Sequence, residues 1–259
     1  EATMTLSETE YTYDGNAKNP SVTIRFESDG ATGADGTTGS ATTLTEGTDY
    51  DVTYKKVNGE SEDDIAANQI ITAGTYKAIA TAKGNYTGSK EATFTITKTS
   101  ITPTVTLEGW TYGTTAKTPT ISGNTGNGSV TYEYKLKTAE DSEYKADAPT
   151  EAGDYTIKAT IAATANYEAA TATTDFTISK ANITPTVTLE GWTYGATANT
   201  PTITGNSGDG TVTYTYKAEG AESFVETAPE AAGNYTIKAS IAETTNYNSG
   251  EATATFTIT

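Results

Sequence analysis

The strongest constraint on what this chain can fold into is that it repeats itself. Ile101 to Trp110 reads ITPTVTLEGW, and the same ten residues return from Ile183 to Trp192. Further on, AGDYTIKATIAATANY (Ala152 to Tyr167) is matched by AGNYTIKASIAETTNY (Ala232 to Tyr247). A more divergent copy stands at the front. YTYDGNAKNPSVTI (Tyr11 to Ile24) parallels WTYGTTAKTPTISG, and AGTYKAIATAKGNY (Ala73 to Tyr86) parallels the two tails. Each copy closes alike, on TFTIT at 93–97, DFTIS at 175–179 and TFTIT at 255–259. A period of this length means small domains in tandem rather than one large core. The boundaries fall near Lys98 and Lys180, giving domains 1–98 (divergent, with an inserted loop), 99–180 and 181–259.

Inside a repeat the apolar residues alternate with period two, the pattern of a strand with one buried face. Val130, Tyr132, Tyr134 and Leu136 fall on one face, with Thr131, Glu133 and Lys135 on the other. Val212, Tyr214 and Tyr216 repeat the arrangement. A later strand turns Tyr155, Ile157, Ala159 and Ile161 inward, and Thr156, Lys158 and Thr160 outward. Glycine-rich clusters, GNTGNGS at 123–129 and GNSGDG at 205–210, separate the strands. About seven short strands at this spacing describe a β-sandwich. The stretch Glu151-Ala-Gly-Asp-Tyr155 has the form of an immunoglobulin tyrosine corner, in which a tyrosine hydroxyl ties down the loop before its strand. Ala231 to Tyr235 and Thr72 to Tyr76 keep the Gly-x-Tyr. Ile157, Ile237 and Ala78 stand where an antibody domain has a cysteine, so the core is a disulfide-free version. The expected class is all-β: three tandem immunoglobulin-like β-sandwich domains forming an elongated rod.

Composition agrees and excludes much chemistry. Threonine makes up about a fifth of the chain, and Tyr, Thr, Val and Ile fit a pleated, half-buried surface. The formal net charge is -17, with no His and no Cys. That sign repels nucleic acid and anionic membrane, whose phosphates need clustered Lys and Arg. Without cysteine there are no disulfides, thiol nucleophiles or thiolate metal sites. Without histidine there are no catalytic triads, no zinc-binding pairs and no ordinary general base near neutral pH. No signal peptide opens the chain and no run of 18 apolar residues spans a bilayer. The abrupt ends, Glu1 and Thr259, read as those of a piece excised from something longer.

The motifs EGWTYG, VTYEY, AGDYTIKA and DFTI resemble the tandem repeats of large bacterial cell-surface proteins. So does the variant TYDG, LTEGTDYDVTY (Leu44 to Tyr54), AGTY, GNYTG and TFTI. These repeats are related to bacterial immunoglobulin-like and MBG/YDG-type modules, and the likeness covers essentially the whole chain. The resemblance implies an extracellular, cell-surface or wall-associated protein whose repeats act as stalk or adhesive modules, with no enzyme activity. The first repeat departs most, through an insertion at 28–43 and the acidic loop ESEDD at 60–64.

Three kinds of residue invite a functional reading. Catalysis would rest on carboxylate pairs flanking a cleft, but the acidic residues here fall in turns or on outward strand positions, so no catalytic residue is assigned. Calcium would take the hard oxygens of Asp29, Asp35, Glu62, Asp63 and Asp64. None of these shows the spaced pattern of a calcium loop, so no metal ligand or cofactor is assigned either. Lysine isopeptide crosslinks would need inward lysines, whereas Lys135 and Lys158 point outward. The aromatics Trp110 with Tyr112, and Trp192 with Tyr194, share a strand face and could pack a core or present a platform to a sugar. Tyr11 and Tyr13 hold those places in the first repeat. Burying one Trp removes roughly 150–250 Å² from water, and a core without disulfides gains most from it, so the core reading leads.

The joints Thr97 to Pro103 and Ser179 to Pro185 are short, lack glycine and contain a proline that holds its neighbour extended. Such joints restrict swing. The expected function is a non-catalytic stalk segment that spaces a distal domain and contributes to adhesion. The alternative is an adhesive module holding a glycan or a host or extracellular protein. No nucleic acid, no membrane insertion and a monomeric segment of a larger protein complete the expectation.

Overall fold

The computed structural model describes residues 1–26 and 41–259. The strands Val130–Leu136, Gly153–Ile161 and Val212–Ala218 are those that the alternation picks out. The stretch at 60–64, expected as an acidic loop, instead lies mostly in the strand Ser61–Ile65, held by its pairing with Tyr50–Asn58. Each sequence repeat builds two sheets on the same plan. In the first repeat Ala2–Leu6, Val22–Phe26 and Thr42–Thr43 form one antiparallel sheet. The other runs in the order Glu10–Thr12, Ser89–Thr97, Gly74–Ala82, Tyr50–Asn58, Ser61–Ile65. In the second repeat Thr104–Thr106 pairs with Thr120–Ser122. The larger sheet is ordered Trp110–Thr111, Ala170–Ser179, Gly153–Ile161, Val130–Leu136. The third repeat pairs Thr186–Thr188 with Thr202–Thr204, and orders Val212–Ala218, Gly233–Ile241, Gly250–Ile258.

One crossing recurs in all three. After its first strand the chain leaves one sheet and joins the other, parallel to the last strand. Glu10, Tyr11 and Thr12 lie opposite Thr95, Ile96 and Thr97. Trp110 lies opposite Ile178, and Trp192 opposite Ile258. This crossing closes the side of each sandwich and brings the aromatic residue of EGW or TEY over the core.

By contacts the chain groups into two compact units. One comprises Glu1–Pro103, Ser122–Thr131 and Thr160–Thr171. Its core is Val22, Ile24, Leu44, Tyr50, Ile70, Tyr76, Ala78, Ala80, Phe94 and Ile96, contributed by both sheets of the first repeat together with Leu44 and Ile70 from connecting segments. Its glycine-rich turn folds on a side chain: Asn124 Nδ2 donates to the Gly128 carbonyl (2.8 Å), and the Gly128 amide donates back to Oδ1 (3.1 Å). The other unit comprises Thr104–Ile121, Tyr132–Ala159 and Ala172–Thr259. Its third-repeat core is Val187, Leu189, Ile237, Ala239, Phe256 and Ile258. In the second repeat Tyr155, Ile157 and Ala159 are buried, as the alternation predicts.

The tyrosine corner forms three times. The hydroxyl of Tyr155 donates to the Glu151 carbonyl at 3.0 Å, that of Tyr76 to Thr72 at 2.7 Å, and that of Tyr235 to Ala231 at 2.9 Å. The separation of four residues is identical although the acidic residue of the motif is present once. The Gly-x-Tyr and the backbone therefore make the corner, and the acid is dispensable.

Two expectations about strand faces need correction. Leu136, expected inward, is 52% exposed. The chain turns there, with the Ala139 amide bonded to the Leu136 carbonyl, so the alternation ends one residue early. Lys135, on the outward face as expected, is nonetheless covered: its side chain is 11% exposed, because the following loop folds back over it.

Candidate functional site

The aromatic residues are where any function would be expected, and their placement separates two roles. Trp110 is half-buried, with its ring stacked on Phe176 (centroids 5.3 Å, interplanar 18°). Tyr155 stacks on the other side of the set (5.6 Å, 24°) and Tyr134 meets Phe176 edge-on (6.2 Å, 80°). The third repeat reproduces this cluster around Phe256 with Trp192, Tyr235 and Tyr216. In the first repeat Tyr76 stacks on Phe94 as before, but Tyr11, which replaces the Trp, turns edge-on at 6.2 Å and 84°. Offset and edge-to-face aromatic pairs each add about 0.5–1.5 kcal/mol beyond area burial. The tryptophans thus serve the core, and a small sandwich is built around one Phe.

The glycine before each Trp sets how closely the segment approaches the last strand. A Cβ on Gly109 would lie 2.4 Å from the Thr177 carbonyl oxygen, and one on Gly191 2.2 Å from that of Thr257. In these two repeats the crossing segment lies so close to the last strand that a side chain would meet its backbone, whereas the first repeat makes the same crossing with Glu10.

The tyrosines two residues on have a different role. Tyr13 packs edge-on against Tyr167 (5.5 Å, 75°), and Tyr112 against Tyr247 (5.4 Å, 74°). Each pair joins one repeat to the next. Around each, the same hydrogen bonds recur. Asn166 Oδ1 accepts from the Ala73 amide at 2.9 Å, and Asn246 Oδ1 from the Ala152 amide at 2.8 Å. Thr99 of the first joint pairs its backbone with Asn166 and Glu168, and Ala181 of the second with Asn246 and Asn248. Thr99 Oγ1 also donates to the Tyr13 carbonyl. Every joint is therefore clipped by a backbone bridge, an asparagine and a tyrosine pair. Beside each runs an open cleft. The first, of 410 Å³, is lined by Ala73, Gly74 and Glu168; the second, of 370 Å³, by Ala152, Gly153 and Asn248. Sequence reasoning put Tyr13 and Tyr112 with their Trp or Tyr neighbours on one face. The signal it passed over is the paired recurrence of Asn-Tyr at 166–167 and 246–247.

The charged candidates resolve into surface pairs. Asp29 and Asp35 lie outside the described residues. Glu62, Asp63 and Asp64 sit on Ser61–Ile65, where Glu62 bridges Lys77 (2.5 Å) and Lys55 (3.7 Å) and Asp63 accepts from Asn58 (2.8 Å). The Lys77 hydrogen bond lowers the Glu62 pKa. Alternate residues of a strand point to opposite faces, so these three acids do not converge. Among the described residues there is no group of three or more potential metal ligands. Lys158 bridges Glu133 (2.7 Å) and lies over the Tyr144 ring (4.2 Å), while Lys135 reaches Asp141 (3.0 Å) and the same ring (5.4 Å). Phe224 receives Lys217 and Lys238 in the same way.

The described residues also include one apolar cleft in the first repeat, of about 330 Å³, between Ala2, Ile24, Phe26, Leu44, Tyr50 and Tyr86. No helix among the described residues is long and apolar enough to cross a membrane.

A model of the MBG domain matches residues 28–100, 103–182 and 185–259, and the chain belongs to that family. No curated protein matches the chain. Solved structures similar to it include Drosophila N-cadherin EC1-4 (9% identity, TM-score 0.27, covering 100% of this chain and 76% of that one). Mouse cadherin-23 EC22-24 is similar at 13% identity and TM-score 0.24 (100% and 98%). Three N-terminal domains of the bacteriophage RB49 highly immunogenic outer capsid protein match at 15% identity and TM-score 0.24 (100% and 99%).

Proposed function

We propose that the chain is a non-catalytic structural segment of a bacterial surface protein, its three repeats (1–98, 99–180 and 181–259) acting outside the cell as a stalk that spaces a distal part from the surface. The observation that carries this is the clipped joint. The two joints differ in sequence, Lys-Thr-Ser against Lys-Ala-Asn, yet both are tied to the following repeat by the same bridge and asparagine. A chain that merely strung binding modules together would gain nothing from fastening every joint. Membership of the MBG family, the absence of His and Cys, and the placement of the carboxylates in separate surface pairs support the reading.

Small-angle scattering tests it. Three sandwiches in line would reach on the order of 100 Å and give a radius of gyration close to 30 Å. A compact particle of this length would give about 18 Å, and that value would refute the stalk.

A second reading, a module holding a glycan or an extracellular protein, is favoured by the apolar cleft at Phe26 and Tyr86. Its test is a change in the Phe26 or Tyr86 signals on titration with glycans or extracellular-matrix proteins. Turnover of those glycans would point to an enzyme instead.

A further inference from the structure

The third repeat carries the whole joint surface on an open face. Tyr194 occupies the place of Tyr13 and Tyr112, and its amide is held by the Thr259 carbonyl at 2.7 Å, just as Tyr13 is held by Thr97 and Tyr112 by Ser179. Its ring is 66% exposed, the most exposed of the large hydrophobic side chains. The exposure extends across the surface that the other repeats use. Ala73 and Ala152, whose amides meet an asparagine, are half-buried, whereas Ala232 is exposed. Gly74 and Gly153 are half-buried, whereas Gly233 is exposed. The corner tyrosines Tyr76 and Tyr155 are 0% and 8% exposed, whereas Tyr235 is only half-buried.

We propose that Tyr194, the Ala232 amide and the Thr259 end of the last strand form a docking surface for the Asn-Tyr loop of a further MBG repeat. The partner is specified by its chemistry. It must present an asparagine carbonyl oxygen to the Ala232 amide and a tyrosine edge to the Tyr194 ring. The residue two before its Ile-Thr-Pro must be able to bridge the loop, as Thr99 and Ala181 do. Both occupied surfaces in this chain show that combination, with tyrosine centroids at 5.5 and 5.4 Å and amide bonds of 2.9 and 2.8 Å. Those values are nearly identical in repeats that differ in their Trp and corner residues, which favours one partner type for the surface. The first repeat's own Asn85-Tyr86 is a poorer match, because its Tyr86 ring is engaged by Phe26 at 6.2 Å. The inference goes beyond the stalk reading and stands whether or not the segment projects anything.

The test extends the full chain by a copy of residues 180–259 placed after Thr259, and measures nitration of Tyr194 by tetranitromethane with mass spectrometry. Docking protects Tyr194 several-fold in the extended chain. Asn246→Ala with Tyr247→Ala in the appended copy alone restores the labelling seen in the 259-residue chain. Thermal melts show whether that variant copy still folds. As a second reading, Tyr194→Ala leaves the melting temperature of the 259-residue chain unchanged and lowers that of the extended chain. Equal labelling of Tyr194 in the two chains overturns the proposal, as does protection that survives loss of the Asn-Tyr pair. Protection that rises with concentration in the 259-residue chain assigns the surface to a second copy and also overturns it.

Discussion

The tyrosine corner shows how one motif is weighted differently by its surroundings. Tyr76 is fully buried, and its hydroxyl meets both the Thr72 carbonyl (2.7 Å) and Thr72 Oγ1 (3.0 Å). Tyr155 has one bond and slight exposure, and Tyr235 one bond and a half-open ring. A net hydrogen bond contributes about 0.5–1.5 kcal/mol, and an orphaned buried partner costs more than an exposed one. Tyr→Phe should therefore destabilise in the order Tyr76, Tyr155, Tyr235, with Tyr76→Phe costing about 1–2 kcal/mol by urea denaturation. An equal cost at all three sites would contradict the burial argument. Thr215 offers the opposite case. Its Oγ1 is shielded from solvent and has no hydrogen-bond partner. The second repeat has Glu133 in the same place, where Lys158 answers it at 2.7 Å. Thr215→Val keeps the shape and removes an unmet hydroxyl, so it should be neutral or stabilise by up to about 1 kcal/mol. Residues of this kind are only partly legible in sequence. The corner could be read from Gly-x-Tyr because it is local. Leu136 and Lys135 could not, because their exposure depends on where a following loop returns.

At the scale of the element, the crossing strand is the part that the sequence announces but does not explain. EGW marks it, and the repetition shows it to be structural. Only the parallel contact with the last strand reveals why the second and third repeats place glycine there, where the first repeat has Glu10. A Cβ at Gly191 meets backbone at 2.2 Å, whereas Gly195, three residues past the Trp, has φ +82° and open space around it. Gly191→Ala must push the crossing segment off the sheet and loosen the Trp192 stack, a cost of roughly 1–3 kcal/mol in the range of overpacked cores. Gly195→Ala pays only for the left-handed backbone, about 1–2 kcal/mol, and leaves the stack intact. Tryptophan fluorescence distinguishes them. Only the Gly191 variant should shift the emission and raise quencher access at Trp192; the same change in both would tie the stack to the turn instead. The joints belong to this scale too. Their shortness and proline were legible, but the Asn166 and Asn246 clips were not, since they bond residues more than 90 positions away.

At the scale of the whole molecule, the missing histidine sets the response to pH. No side chain here titrates near neutrality by its ordinary chemistry. What titrates lies at the two extremes. The Lys18 hydrogen bond lowers Asp14 to about 2. Hydrogen bonding by Lys77 lowers Glu62, and Thr156 followed by Lys137 lowers Asp175. A folded pKa below the unfolded one contributes stability above the ordinary carboxylate range of about 4, lost as pH falls through the folded value. All three groups are exposed, so this acid limb is shallow. On the alkaline side, burial raises Tyr11, Tyr50, Tyr54, Tyr134, Tyr155 and Tyr216. Hydrogen bonds to acidic partners raise Lys77, Lys135 and Lys137. Folded values above the unfolded ones mean stability that is intact below about 10 and is lost as pH rises through them. The alkaline limb should be the steeper, because six tyrosines packed in or beside the cores must ionise together on unfolding. Urea midpoints measured from pH 3 to pH 11 should therefore be level between about 5 and 9, sag gently below 4 and drop sharply above 10. An inflection between pH 5 and 8, where this chain has no histidine to titrate, would show that a group outside these pairs and cores governs its stability.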